Sequence, residues 1–224
     1  MKRRSVLLKL SLLFSLVVIL LPLTTLLAEK KHSQETSEFR ISNQTTGLAV
    51  SKAETIGKTV RLSLRNDYKK TIRAFAISPP GQNGYHTLHI LPDDADFAPG
   101  SLHDETIGLS SDRIGNEITV LAVVFTDNTA DGDQTPITEI NDYLTGKKIQ
   151  SRRIISILNH LLVVTDKSLA PALSDARIAI ADLPSGTEQE SPHMLLAGLR
   201  DTKQAALINL ERLDEEGKSE RAKV

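Results

Sequence analysis

His86, His89 and His103 stand close in the sequence to Asp93, Asp94, Asp96 and Asp104. Imidazole with carboxylate is a ligand set for zinc or copper outside the cytoplasm, so these histidines are the first candidate metal ligands. Their spacing limits the simple version. Residues three apart on a strand face opposite sides, so His86 and His89 reach one ion only across a bulge, and surface histidines are the plain alternative. A second candidate is the stretch 127–133, where Asp127, Asp131 and Asp133 supply oxygens and Gly132 takes the sixth place of a calcium loop. The twelfth place holds Thr138 where a bidentate Glu is needed, and Glu139 comes one residue late. A solvated turn before a helix is therefore the preferred reading. The expectation is no resident cofactor, with calcium, zinc or copper as the alternative.

Other chemistries lack their residues. Gly57-Lys58-Thr59 resembles the end of a phosphate loop, but Lys52 occupies the place of the first glycine and a strand pattern follows where a helix is required. There is no Gly-x-Ser-x-Gly elbow and no His-Glu-x-x-His helix. The adjacent pairs Asp93-Asp94 and Glu215-Glu216 fall in loop or tail patterns, where general acid–base work is hard to support. His160, among Ile157, Leu158, Leu161 and Leu162, reads as a packing residue.

The chain has 224 residues, 40% of them hydrophobic, and no cysteine. Disulfides, thiolate metal sites and cysteine nucleophiles are thereby excluded, and stability must come from packing. The apolar run 10–28 follows Lys2, Arg3, Arg4 and Lys9, the pattern of an export signal. The run is also long enough to span a bilayer. Pro22 and the Leu26-Leu27-Ala28 junction favour cleavage, so residues 1–28 are expected to be a signal peptide or an N-terminal membrane anchor. Either way the rest of the chain is expected outside the cytoplasm, periplasmic or secreted, because the positive charges stay inside. The net charge of −1 includes the basic leader, and without a basic, aromatic-bearing patch nucleic acid is not an expected partner.

Residues 29–45 have the polar composition of a flexible linker. From 46 to 134 the period is two. Val60, Leu62 and Leu64 alternate with Arg61, Ser63 and Arg65, and Asn66-Asp67 supplies turn chemistry before a second run, 71–77. Strands are also read around 48–56, 85–91, 102–109 and 117–125. The last is apolar on both faces and should lie centrally, facing the Val60 strand across a core. Residues 135–216 then read as about three helices. The first starts at Thr135-Pro136 with Gly146 as a weak point, the second carries Leu169 to Ile180, and the third begins at Ser191-Pro192. Residues 217–224 read as a charged tail. Helices of this kind need a surface to pack on, either each other or the sheets.

Six short strands punctuated by Pro and Gly clusters predict an antiparallel β-sandwich followed by an α-helical C-terminal region. The strand ending Leu64-Arg65-Asn66, its short turn and the following Thr71-Ile72-Arg73-Ala74 strand resemble the B-to-C portion of immunoglobulin-like and fibronectin-type-III-like domains of secreted bacterial proteins. The Ala98-Pro99-Gly100 loop is similar to theirs. The likeness covers about 80 residues and lacks the tryptophan and paired cysteines of antibody domains. It implies a scaffold. The expected role is that of an exported, non-enzymatic module binding another envelope protein, with a membrane tether through 10–28 if the leader is retained. The alternative is a metal binder or metal-dependent enzyme using residues 85–104.

Overall fold

The structure, a computed structural model, describes residues 39–81, 85–92, 97–109, 116–163, 169–186 and 192–221. The leader, the first part of the linker, Asp93, Asp94, Asp96 and the last three residues of the tail lie outside them. Among the described residues no helix is long and apolar enough to cross a membrane.

The alternation at Val60 becomes β3 (Thr59–Asn66), in which Val60, Leu62 and Leu64 are fully buried while Arg61 and Arg65 are exposed. β2 (Leu48–Ile56) folds back on it through the two-residue turn Gly57-Lys58, where Gly57 has φ +61. A left-handed backbone of that kind suits glycine. β6 (Leu102–Gly108) pairs with the other side of β3 and completes a three-stranded antiparallel sheet, β2-β3-β6. Its outer face is polar at the centre, where Asp104 accepts hydrogen bonds from Arg61 and Ser63, with Ile56 and Leu102 exposed at its ends.

After β3 the chain crosses to a second sheet. Asn66 makes the crossing possible: fully buried, its side-chain amide donates to the carbonyls of Lys70 (2.9 Å) and Phe97 (2.8 Å), and its oxygen accepts from the Tyr68 N–H (3.0 Å). β4 (Ile72–Ser78) then pairs antiparallel with β5 (Thr87–Ile90) and with β7 (Glu117–Phe125). The far edge of β7 is shared by β1 (Arg40–Asn43), which runs parallel to it, and by the short antiparallel β8 (Ala130–Gly132). Thus the stretch 60–77 serves both sheets, and 117–125 lies beside its second half and across the core from its first.

Fully or nearly buried side chains from both sheets meet in one cluster that includes Leu48, Val60, Leu62, Leu64, Phe75, Ile118 and Val123. The opposite face of the five-stranded sheet presents Ala74, Ala76, Ala122 and Val124 to a helix. This explains why β7 is apolar on both faces: it lies in the middle of three layers. The helix is α1 (Gln134–Leu158), which buries Ile137, Ile140 and Leu144 at spacings of three and four. It runs into a 3-10 turn, Asn159–Val163, where His160 is exposed, unlike the packed residue expected. α2 (Leu169–Ala181) and α3 (His193–Arg221) follow, and Ile154, Ile180 and Leu210 form their shared core. Sheets and helices belong to one compact unit.

Three features of the linker and the helix ends differ from the expectation. Residues 40–43 form a strand inside the stretch read as a linker, because backbone hydrogen bonds to the free edge of β7, which composition does not register, hold them. The first helix is capped by Asp133, whose carboxylate accepts from the Thr135 N–H at 2.8 Å, so Thr135 and Pro136 fall within the first turn. α3 continues through Gly217 to Arg221, since a single glycine costs a helix only about 1 kcal/mol.

Gly146 also has a positive role. A Cβ built on it would lie 2.1 Å from the Leu195 carbonyl oxygen, and one on Gly198 would lie 2.2 Å from that of Tyr143. α1 and α3 therefore cross backbone to backbone, and only glycine fits at the crossing.

Candidate functional site

β5 decides where the histidines go. Side chains of a strand alternate, so His86, Leu88 and Ile90 share the α1 face of the sheet, and Thr87 and His89 share the face towards the three-stranded sheet. No bulge reverses this. His86 Nε2 lies 2.7 Å from Glu139 Oε2 on α1, whereas His89 Nδ1 lies 3.1 Å from Glu105 Oε2 on β6. The two imidazoles belong to different sites, as the spacing predicted.

His103 joins His89. Its Nε2 lies 3.4 Å from the same Glu105 oxygen, so one carboxylate bridges the edge strand of each sheet. The surroundings are aromatic: the His89 ring stacks on Phe75 with centroids 4.9 Å apart, and His103 lies beside Phe97 at 5.2 Å. Burial raises the Glu105 carboxyl, but the hydrogen bond and Coulomb attraction of His89, with help from the Thr106 N–H and His103, outweigh it and hold the group at about 2. Asp104 takes no part, since it faces the other side of β6 towards Arg61 and Ser63. Among the described residues no group of three or more ligating side chains is placed to hold a metal ion.

The aspartates of the calcium-like stretch are not brought together. Asp127 pairs with Lys70 at 2.8 Å and accepts from Thr129, which with the lysine holds its carboxyl at about 2. Asp131 accepts from the Thr46 N–H (2.7 Å), the Thr46 hydroxyl (2.8 Å) and the Tyr68 hydroxyl, joining β8 to the start of β2. Asp133 caps α1. β8 runs through the middle of the loop and extends the backbone where calcium coordination needs it curled.

A larger feature lies on the other face of β5. A cleft of about 810 Å³ opens between β5, α1 and the start of α3. Leu88, Ile90, Met194 and Ala197 supply its apolar wall, and Glu139, Asp142 and Asp201 its carboxylates. Among the described residues lining it there is no Lys or Arg. The Tyr143 hydroxyl donates to Asp201 at 3.0 Å, tying α1 to α3 within the cleft. Burial, reinforced by the negative Asp201, pushes this phenol up to about 12, so it stays a donor at any physiological pH.

Of the cleft residues, the sequence marks His86 as a candidate metal ligand and Glu139 as the misplaced last ligand of the calcium-like stretch. Glu139, Asp142 and Tyr143 are three and four apart, so helical spacing alone places them on one face. Nothing local joins that face to Asp201, nearly sixty positions further on, or to an edge strand. Comparison of the chain with protein-family models, with curated proteins and with solved structures gives no match. The geometry therefore carries the functional argument.

Proposed function

We propose that this chain is an exported, non-enzymatic interaction module of the cell envelope, built on an immunoglobulin-like sandwich and binding its partner in the cleft between β5, α1 and α3. The observation that carries the reading is that cleft: a large concavity with an apolar wall and an acidic rim, the composition of a recognition surface. Taking β2, β3, β4, β6, β7 and β8 as strands A, B, C, E, F and G gives A-B-E facing C-F-G, which supports the immunoglobulin-like assignment. The basic and apolar leader supports export.

Two measurements test this. The mass of the mature N-terminus, with cell fractionation, reports whether the chain is exported and cleaved; full-length chain in the cytoplasm rejects export. A photo-reactive residue at Met194 or His193, both lining the cleft, in the full chain, irradiated in intact cells, should form a discrete adduct, whereas one at the distant Lys69 should not. Equal labelling from all three positions, or none from the cleft, removes it as the binding face.

A further inference from the structure

The cleft has a backbone edge as well as side chains. β5 is an edge strand: β4 takes one side, and among the described residues no strand takes the other. The Leu91 N–H donates to the Arg73 carbonyl at 3.1 Å, which sets the phase of the ladder. Bonded and non-bonded pairs alternate in an antiparallel ladder. With Phe75 opposite His89 and Ile77 opposite Thr87, the backbone groups of those residues turn towards β4, and the N–H and C=O of Leu88 and Ile90 turn outwards. The residues offering free backbone groups are thus the same two whose side chains form the apolar wall.

Charge then selects the occupant. The described lining residues carry three carboxylates, Glu139, Asp142 and Asp201, against no Lys or Arg. Among the described residues Glu139 is paired only with a histidine, and Asp201 accepts from a neutral phenol. An unpaired strand edge beside such a rim suits a chain that brings both backbone donors and positive side chains.

Resting on the proposed binding role of this cleft, we infer that its occupant is a basic, extended segment of a partner protein, added to β5 as a further strand. Its backbone bonds Leu88 and Ile90, and its lysines or arginines, at alternate positions, face Glu139, Asp142 and Asp201. The strand edge fixes register, and the carboxylates choose the sign of the side chains.

The test uses the full chain and the synthetic peptide acetyl-Val-Lys-Val-Lys-Val-Lys-amide. Two controls accompany it, one with Glu for every Lys and one with alternate backbone amides N-methylated. Saturation with the lysine peptide should slow amide hydrogen exchange at Leu88 and Ile90 on the order of tenfold or more and leave His89, already bonded to β4, unchanged. The double variant Glu139→Gln/Asp142→Asn should bind that peptide more weakly by a similar factor, with its melting temperature recorded to show that it is folded. The inference is overturned by unchanged exchange at Leu88 and Ile90. It is equally overturned by an N-methylated or acidic peptide that binds as well, or by a double variant with undiminished affinity. If the photo-adducts from Met194 and His193 form while the peptide arms fail, the cleft remains the binding face and only the strand-adding basic partner is rejected.

Discussion

His89 Nδ1 on β5 lies 3.1 Å from Glu105 Oε2 on β6, so a single hydrogen-bonded pair closes the side of the molecule where the edge strands of the two sheets come together. The folded protein holds the Glu105 carboxyl at about 2, against an ordinary 4.5. A depressed acid contributes stability that is fully present above its unfolded pKa and is lost as pH falls through its folded one. Glu105→Gln should therefore lower stability at neutral pH by about 1–3 kcal/mol. The gap between variant and wild type should shrink from pH 4.5 down to about 2. Thermal melts of both chains across that range check it, and a gap that is constant with pH would show that Glu105 acts through packing alone.

Leu62 and Ser63 are neighbours with opposite surroundings. Leu62 is fully buried between the sheets, whereas Ser63 donates to Asp104 on the solvated face. Leu62→Lys buries an unpaired charge and should cost more than about 4 kcal/mol, enough to prevent folding. Ser63→Lys sets an ammonium beside Asp104 and should change stability by no more than about 0.5 kcal/mol. Urea denaturation separates the two, and equal midpoints would reverse the assignment of the buried face.

Gly146 and Gly198 should reject even a methyl group. The groups that each Cβ would meet are backbone, which cannot rotate away, so Gly146→Ala or Gly198→Ala should destabilise by at least about 1–3 kcal/mol. Helix propensity alone favours alanine over glycine by about 1 kcal/mol. Denaturation of either variant decides by sign: a stabilised protein would mean that the two helices do not meet there.

Asn66 should be irreplaceable by a smaller side chain. Alanine there leaves the carbonyls of Lys70 and Phe97 without their side-chain donor and opens space where the chain changes sheets. A loss of about 2–4 kcal/mol is expected. Asn66→Asp should not restore it, because a carboxylate accepts hydrogen bonds where donation is needed. Equilibrium unfolding of the two variants checks this.

Much of the framework was legible because it rests on local periods. Alternation at 60–64, turn residues at 57 and 66–67, and helical spacing from Ile137 to Leu144 each express an interaction between near neighbours, and the corresponding elements form. The division of His86 from His89 followed from the same rule. Residues 40–43 escaped because a short parallel edge strand is held by backbone bonds to β7 and needs no side-chain pattern. Gly146 read as a weak point because its use is visible only once Leu195 is opposite it.

The sequence by itself determined six of the eight described strands, the three helices, the absence of thiol chemistry and the opposite facing of two histidines, all consequences of covalent spacing and side-chain type. Tertiary structure alone decided that Glu105 rather than Asp104 meets the histidines, that three aspartates in one loop serve three separate structural bonds, and that Glu139, Asp142 and Asp201 rim one cleft. Those relationships join residues far apart in the chain. They arise only when sheet packs on sheet and helix on sheet, and no local period encodes that packing.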